Sequence, residues 1–184
     1  IMAAAKVQGY QGGGGFKVDG EHAAATAKHF PAYSFPEGGE DAAPVDISEY
    51  TFYTVHLPPF EAAVKSGVLS IMPCYNEVNG KPVHGSYEYL TELLRGRLGF
   101  RGIVVSDWGG VEMLHRYHRT AESFKEAVKQ AVEAGLDIDS IGGTRFFQAL
   151  LELAEEGKIS ERRIDESVRR ILAVSYTHLT LPTN

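Results

Sequence analysis

Asp107 stands directly after Ile103-Val104-Val105, a β-branched run entered from Gly99 and Gly102. Such a run fits a buried strand, which would hold the carboxylate rigidly at a strand end. Two roles suit that position: chemistry at an active-site face, or the N-cap of the following helix. The pattern alone leaves both open. Ser106, Trp108 and Gly109 leave room for a ligand, and the indole offers a flat face of the kind that stacks on a sugar ring. Lys28-His29 sets a cation beside an imidazole, and both can donate to hydroxyl oxygens. On the dipeptide alone, a solvated lysine beside a packed histidine is the simpler reading. His115 and His118 share helical spacing, but Arg116 and Arg119 flank them and no third metal ligand is evident, which favours a solvated basic turn. Gly12–Gly15 has neither a preceding apolar strand nor a following Lys-Thr pair, and reads as a mobile linker rather than a phosphate cradle.

The elements that must position these residues follow from periodicity. Apolar runs predict strands near 23–28, 68–72, 103–106 and 136–139. Helices are expected between and after them. Asp46-Ile47-Ser48-Glu49 has the form of a helix start, and Pro58-Pro59 interrupts that helix and opens another, ending at Gly67. Ser86 caps a helix carrying Leu90, Leu93 and Leu94. Thr120 begins one with Phe124, Val128, Ala131 and Val132 on its inner face. Phe147, Leu150, Leu151 and Ala154 mark a further inner stripe, and so do Ile164, Val168, Ile171 and Leu172 after a Ser160 cap. Strands alternating with amphipathic helices predict an α/β fold with a parallel sheet, either doubly wound or part of a (β/α)8 barrel. The polar residues cluster just after the strands, where a parallel barrel keeps its chemistry.

Composition narrows the function classes. Acidic residues outnumber basic ones by 24 to 18, for a net charge of −6, so a nucleic-acid partner is not expected. No apolar run approaches the roughly 20 residues that span a bilayer. Cys74 is the sole cysteine, which excludes an internal disulfide and any multi-cysteine metal site. The chain starts with Ile1, and its last ten residues lose the preceding helical pattern; it reads as a piece cut from a longer protein.

Five motifs in order then carry a resemblance: Lys28-His29-Phe30, Val45-Asp46-Ile47-Ser48-Glu49, Leu57-Pro58-Pro59-Phe60-Glu61-Ala62-Ala63, Tyr75-Asn76-Glu77-Val78-Asn79-Gly80, and Gly99 through Trp108. Together with Gly157-Lys158-Ile159-Ser160 and Ile164–Leu172, they resemble the N-terminal catalytic domain of glycoside hydrolase family 3, the β-glucosidase and β-xylosidase family, over residues 1–174. The resemblance implies roughly the second half of a (β/α)8 barrel, with 175–184 a tail foreign to the family. It implies Asp107 as the nucleophile of a retaining β-glycosidase, with no cofactor and no metal. It places Lys28, His29, Met72, Tyr75 and Trp108 around the sugar of the −1 subsite. A glycoside or oligosaccharide is the expected substrate.

The departures from the family pattern are specific. Its upstream arginine and Gly-Arg-x-x-Glu region are absent from this chain, as is its α/β sandwich domain, which usually supplies the acid/base. Glu77 and Glu112 match no acid/base motif. The loop Phe30-Pro31-Ala32-Tyr33-Ser34-Phe35-Pro36-Glu37 lacks the His-Gly-Asp of the N-acetylglucosaminidase branch. Two other readings compete: a non-catalytic or degenerate sugar-binding piece, and a (β/α)8 aldolase using Lys28 as a Schiff-base amine. The latter leaves Ser106-Asp107-Trp108 unexplained.

Overall fold

The computed structural model describes residues 1–13, 15, 18–141 and 143–176. Helix α1 (Met2–Gln11) precedes strand β1 (Thr26–Phe30). A helical run, α2, covers residues 49–65 and leads to β2 (Ser70–Pro73). A short hairpin of β3 (Glu77–Val78) and β4 (Lys81–Pro82) follows, then α3 (Glu88–Arg97) and β5 (Ile103–Val104). Helices α4 (Gly110–Arg116), α5 (Phe124–Ala134), α6 (Thr144–Glu155) and α7 (Glu161–Tyr176) complete the order.

The sheet is parallel, in the order β1-β2-β5. Ala27 sits level with Ile71, and Ile71 with Val104. A parallel bridge from Val105 to Ile138 adds a fourth extended segment beside β5. The four segments fall where apolar runs predict strands, although β1 starts three residues later than expected. Buried Ile71, Val104 and Leu136 of the sheet meet Leu90, Leu94, Leu114 and Leu153 of the helices in one core.

Several local expectations need correction. The Ser48 hydroxyl, not Asp46, caps α2 by accepting from the Thr51 amide. Pro58 and Pro59 do not break that helix. The turn just before them, Phe52–His56, widens to π geometry, and Leu57–Lys65 continues from it. Proline lacks an N–H and its ring crowds the preceding turn, and a wider turn lets the helix pass through. Ser123 rather than Thr120 caps α5, accepting from the Glu126 amide. In α6, Ala149 and Leu153 are buried while Phe147 and Leu151 are exposed; in α7, Val168 and Leu172 are likewise exposed. The apolar stripe of each helix is wider than the surface it covers within this chain. Gly12 ends α1 in the left-handed region and lies against the His22 ring, so the glycine run begins as a helix cap rather than a linker. Ser175 and Tyr176, the first residues of the expected irregular tail, continue α7; residues 177–184 lie outside the described residues.

Two buried polar devices fix the strands, one at the starts of β1 and β2 and one at Val104 of β5. The Gln11 Oε1 accepts from the amides of Ala25 and Leu69, and its Nε2 donates to the Gly67 carbonyl. One side chain therefore satisfies the backbone entering both β1 and β2. Asp137, with a side chain fully out of solvent, accepts from the Val104 amide at 2.9 Å, Arg95 Nη2 at 2.6 Å, Ser167 Oγ at 2.6 Å and Arg170 Nη1 at 3.0 Å. It ties β5 to α3 and α7. Among the described residues no helix is long and apolar enough to cross a membrane.

Removing one partner from a buried ionic cluster strands the others, at about 3–5 kcal/mol. Asp137→Ala is expected to lower unfolding free energy by that order in urea titrations. A loss within about 0.5 kcal/mol, typical of a surface substitution, would show that the cluster is not a structural tie.

Candidate functional site

The parallel register brings the C-terminal ends of β1, β2 and β5 level, and the candidate residues lie on those ends. Asp107 lies three residues beyond the end of β5. Its Oδ1 accepts from the Trp108 amide at 2.7 Å and lies 3.1 Å from the Tyr75 hydroxyl. That hydroxyl also lies 2.7 Å from the Trp108 carbonyl, so a single phenolic proton is shared between two acceptors of the same turn. Oδ2 faces the other way, 3.2 Å from His29 Nε2. Both side chains are largely buried, at 21% exposure for His29 and 17% for Asp107.

His29 reaches this position through an irregularity in β1. Lys28 pairs level with Met72, but Phe30 pairs with Pro73, leaving His29 as an extra residue in the ladder. Such a bulge re-aims a side chain. Burial lowers the His29 pKa below the ordinary imidazole value; Asp107 pulls it upward, Lys28 pushes it further down, and Asp41 pulls it up weakly. The contact with Asp107 is thus one between a mainly neutral ring and a carboxylate at neutral pH. The His29 ring also packs against Tyr33 at 4.7 Å between centroids, and the Tyr33 hydroxyl donates to Asp41 Oδ1.

Burial, and then the bond to Asp107, push the Tyr75 phenol up to about 12, so it stays a donor throughout the physiological range. Lys28 is exposed, and Met72 beside it is half-buried. Lys28, His29 and Tyr33 line a cleft of about 320 Å3 with Pro59 and Phe60, and Asp107 does not line it. The structure therefore brings His29, Tyr75 and Trp108 into direct contact with Asp107. Lys28 and Met72 stand one step back along the same two strands. Trp108 enters the site by its backbone, while its indole is 69% exposed.

Two further histidines belong to the site: the sequence pattern carries no signal for His84 and reads His118 as part of a solvated turn. His84 is fully buried, and its Nε2 accepts from the Asp107 amide at 3.0 Å. A ring nitrogen that accepts is unprotonated, so the proton sits on Nδ1, and the ring is also hydrogen-bonded to the Cys74 backbone. Its ring stacks on Tyr75. Gly110 explains part of the glycine pair after Trp108: a Cβ there would lie 2.3 Å from His84 Nε2. That glycine makes room for a histidine rather than for a ligand. His118, read above as part of a solvated turn, is instead buried, with its Nε2 2.9 Å from the Tyr75 carbonyl. His115 contacts the Ala121 carbonyl, so the two rings do not converge. Among the described residues no group of three or more His, Cys, Asp or Glu side chains is placed to hold a metal ion.

The neighbouring carboxylates are engaged. Asp41 accepts from Tyr33, Glu77 lies 3.6 Å from His118, Glu112 pairs with Arg116 and Arg145, and Asp139 accepts from Ser106. Ser106, fully buried, also receives the Ser140 amide on its hydroxyl, locking the end of β5 to the segment after Ile138.

Comparison with known proteins gives a consistent result. The sequence profile of the Glycosyl hydrolase family 3 N terminal domain matches residues 1–174. A lysosomal beta glucosidase of Dictyostelium discoideum is 42% identical over 181 residues, covering 96% of this chain and 22% of that protein. A putative beta-xylosidase of Formosa agariphila is 38% identical over 176 residues, covering 95% and 23%. The crystal structure of a beta-glucosidase from Listeria innocua in complex with isofagomine superposes with a TM-score of 0.90 at 36% identity, over 96% of this chain and 24% of that one. The chain thus spans about a quarter of the length of these relatives.

His84 yields a pH test. Burial lowers its pKa from 6.5 to about 4, so the unfolded chain takes up a proton that the native chain refuses. This stabilising contribution is complete above pH 6.5 and is lost as pH falls towards 4, by about 3 kcal/mol in all. Urea unfolding at pH 7 and pH 4.5 is expected to show a smaller acid loss in His84→Gln than in the parent, by about 2–3 kcal/mol. Parallel pH–stability curves would place the His84 ring in contact with solvent.

Proposed function

The chain belongs to glycosyl hydrolase family 3, and from that premise we propose that the intact protein hydrolyses terminal β-linked sugars, β-glucosides or β-xylosides, with Asp107 as nucleophile. The observation that carries this reading is the carboxylate at the end of a parallel strand, with one oxygen occupied by Tyr75 and Trp108 and the other turned towards His29. On this reading the four parallel segments are part of a (β/α)8 barrel, and their C-terminal ends form the −1 subsite. Lys28 and His29 donate to sugar hydroxyls, Met72 and Tyr75 border the ring, and the exposed Trp108 indole stacks on the glycoside. The substrate is a glycoside or oligosaccharide, and the α/β sandwich domain of the parent protein completes the site.

The proposed chemistry is retaining double displacement. Asp107 Oδ2 attacks the anomeric carbon from the face opposite the leaving group. The bond from that carbon to the leaving oxygen breaks, and the oxygen takes a proton from an acid outside this chain. Water, giving its proton to the same group, then displaces the carboxylate, and two inversions give net retention. Oδ1 keeps its two donors throughout, so the carboxylate does not rotate between steps. Hydrogen bonds from Lys28 and His29 to the sugar hydroxyls hold the ring in place and strengthen as charge develops on it. With the acid/base outside the chain, the 184 residues alone are expected to show no measurable hydrolysis.

In the full-length protein, Asp107→Ala is expected to lower kcat on an aryl β-glucoside or β-xyloside by several orders of magnitude. Azide should partly restore turnover, giving a glycosyl azide of inverted anomeric configuration. A variant with kcat near that of the parent would remove Asp107 from the reaction and leave a sugar-binding role.

A further inference from the structure

The loop between β2 and β3 is three residues, Cys74 to Asn76, and it carries Tyr75, whose hydroxyl reaches Asp107. Its backbone and side chains are pinned one by one. The Cys74 amide donates to the Phe30 carbonyl at 2.7 Å. His84 is hydrogen-bonded to the Cys74 backbone. The fully buried Asn76 donates from Nδ2 to the Ala43 carbonyl at 2.6 Å. The peptide of Tyr75 itself is held by His118, which arrives from the turn after α4.

A carbonyl oxygen only accepts, so the His118 proton that meets it is on Nε2. The opposite nitrogen, Nδ1, is 3.6 Å from Glu77 Oε2. The ring therefore bonds Tyr75 on one side and lies near Glu77 on the other, and it packs edge to face with Tyr117 at 5.1 Å between centroids. Its side chain is 3% exposed, while Glu77 is 31% exposed. A buried histidine, 43 residues away in sequence, thus meets the carbonyl of Tyr75, whose hydroxyl reaches Asp107.

We propose that His118 is a positioning residue for Asp107: by holding the Tyr75 carbonyl, with Glu77 behind it, it aims the Tyr75 hydroxyl at Asp107 Oδ1 and the Trp108 carbonyl. Tyr75 and the Trp108 amide then fix Oδ1 together and leave Oδ2 as the attacking oxygen. The catalytic consequence rests on the reading of Asp107 as nucleophile given above, whereas the geometric claim does not. A shift of about 1 Å in a reacting group is enough to cost some hundredfold in rate, so the clamp matters if Tyr75 is what keeps the carboxylate still.

The test is NMR on the 184-residue chain at neutral pH. The His118 ring is expected to show a protonated Nε2. In His118→Leu, which removes the donor, the Trp108 amide proton should move upfield as its bond to Asp107 loosens, and the Tyr75 Cζ resonance should change with it. In His118→Gln, whose side-chain amide can donate to the same carbonyl, both resonances should return towards the parent. Should His118→Leu fail to fold, Glu77→Ala is expected to move the Trp108 amide in the same direction by a smaller amount. Either of two results overturns the proposal: a Trp108 amide unmoved in the folded variants, or Leu and Gln replacements that displace it equally, which would make His118 packing alone. Because these signals do not depend on turnover, a failure of Asp107 as nucleophile would leave them unchanged, and a failure here would leave the nucleophile assignment standing.

Discussion

A carboxylate proposed to attack a carbon must be held and must be free, and the two oxygens of Asp107 are placed so that each could serve one of those duties. Oδ1 takes the Trp108 amide and the Tyr75 hydroxyl; Oδ2 faces the His29 ring. All of these are weak partners in the sense that matters, since none is a lysine or arginine lodged against the carboxylate among the described residues. Neutral donors orient the ion without the deep stabilisation that a bidentate guanidinium would bring. Much of the remaining structure serves this arrangement. Tyr75 comes from the end of β2, His29 from a bulge in β1, and Asp107 from the end of β5, so the three meet only if the strands are parallel and in register.

That register is set at the opposite ends of β1 and β2, and within β5 at Val104. Gln11 satisfies the amides entering β1 and β2, and Asp137 receives the Val104 amide together with the guanidinium groups of α3 and α7. Gln11 and Asp137 are out of water, where an unmade hydrogen bond costs its full desolvation penalty. A slipped strand would leave Gln11 without its amides, or the Val104 amide without Asp137. These buried polar groups therefore make the geometry at the C-terminal ends the low-energy choice, and the Ser106 hydroxyl adds a last tie directly before Asp107.

What the sequence made legible follows this division. The β-branched run before Asp107 and the apolar run 68–72 announce strands because their side chains are buried whichever partner they find. The parallel sheet, and Asp107 at its end, follow from alternation with helices. The alternation does not reveal which side chain closes on Asp107 from another strand. His84 and His118 look like any polar residue in a loop, and only the folded backbone shows that each meets a carbonyl or an amide of the site. The His29 bulge is invisible for the same reason, since one extra residue in a ladder leaves no mark on a period-two pattern. The hairpin at Glu77–Pro82 did have a signal: Asn79-Gly80, both at positive φ, is the pair a tight hairpin turn prefers. The exposed Phe147, Leu151, Val168 and Leu172 show the opposite error, in which an apolar stripe promises a neighbour that the described residues do not contain.

The central claim is that Asp107 forms the covalent bond to the sugar. The most direct measurement uses the full-length protein, inactivated with a 2-deoxy-2-fluoro-β-glycoside bearing an activated phenol, then digested and sequenced by mass spectrometry. The account predicts one glycosylated peptide with the fluorosugar on the Asp107 carboxylate, released in parallel with recovery of activity. A label on any other carboxylate, or inactivation with no covalent adduct, would contradict it.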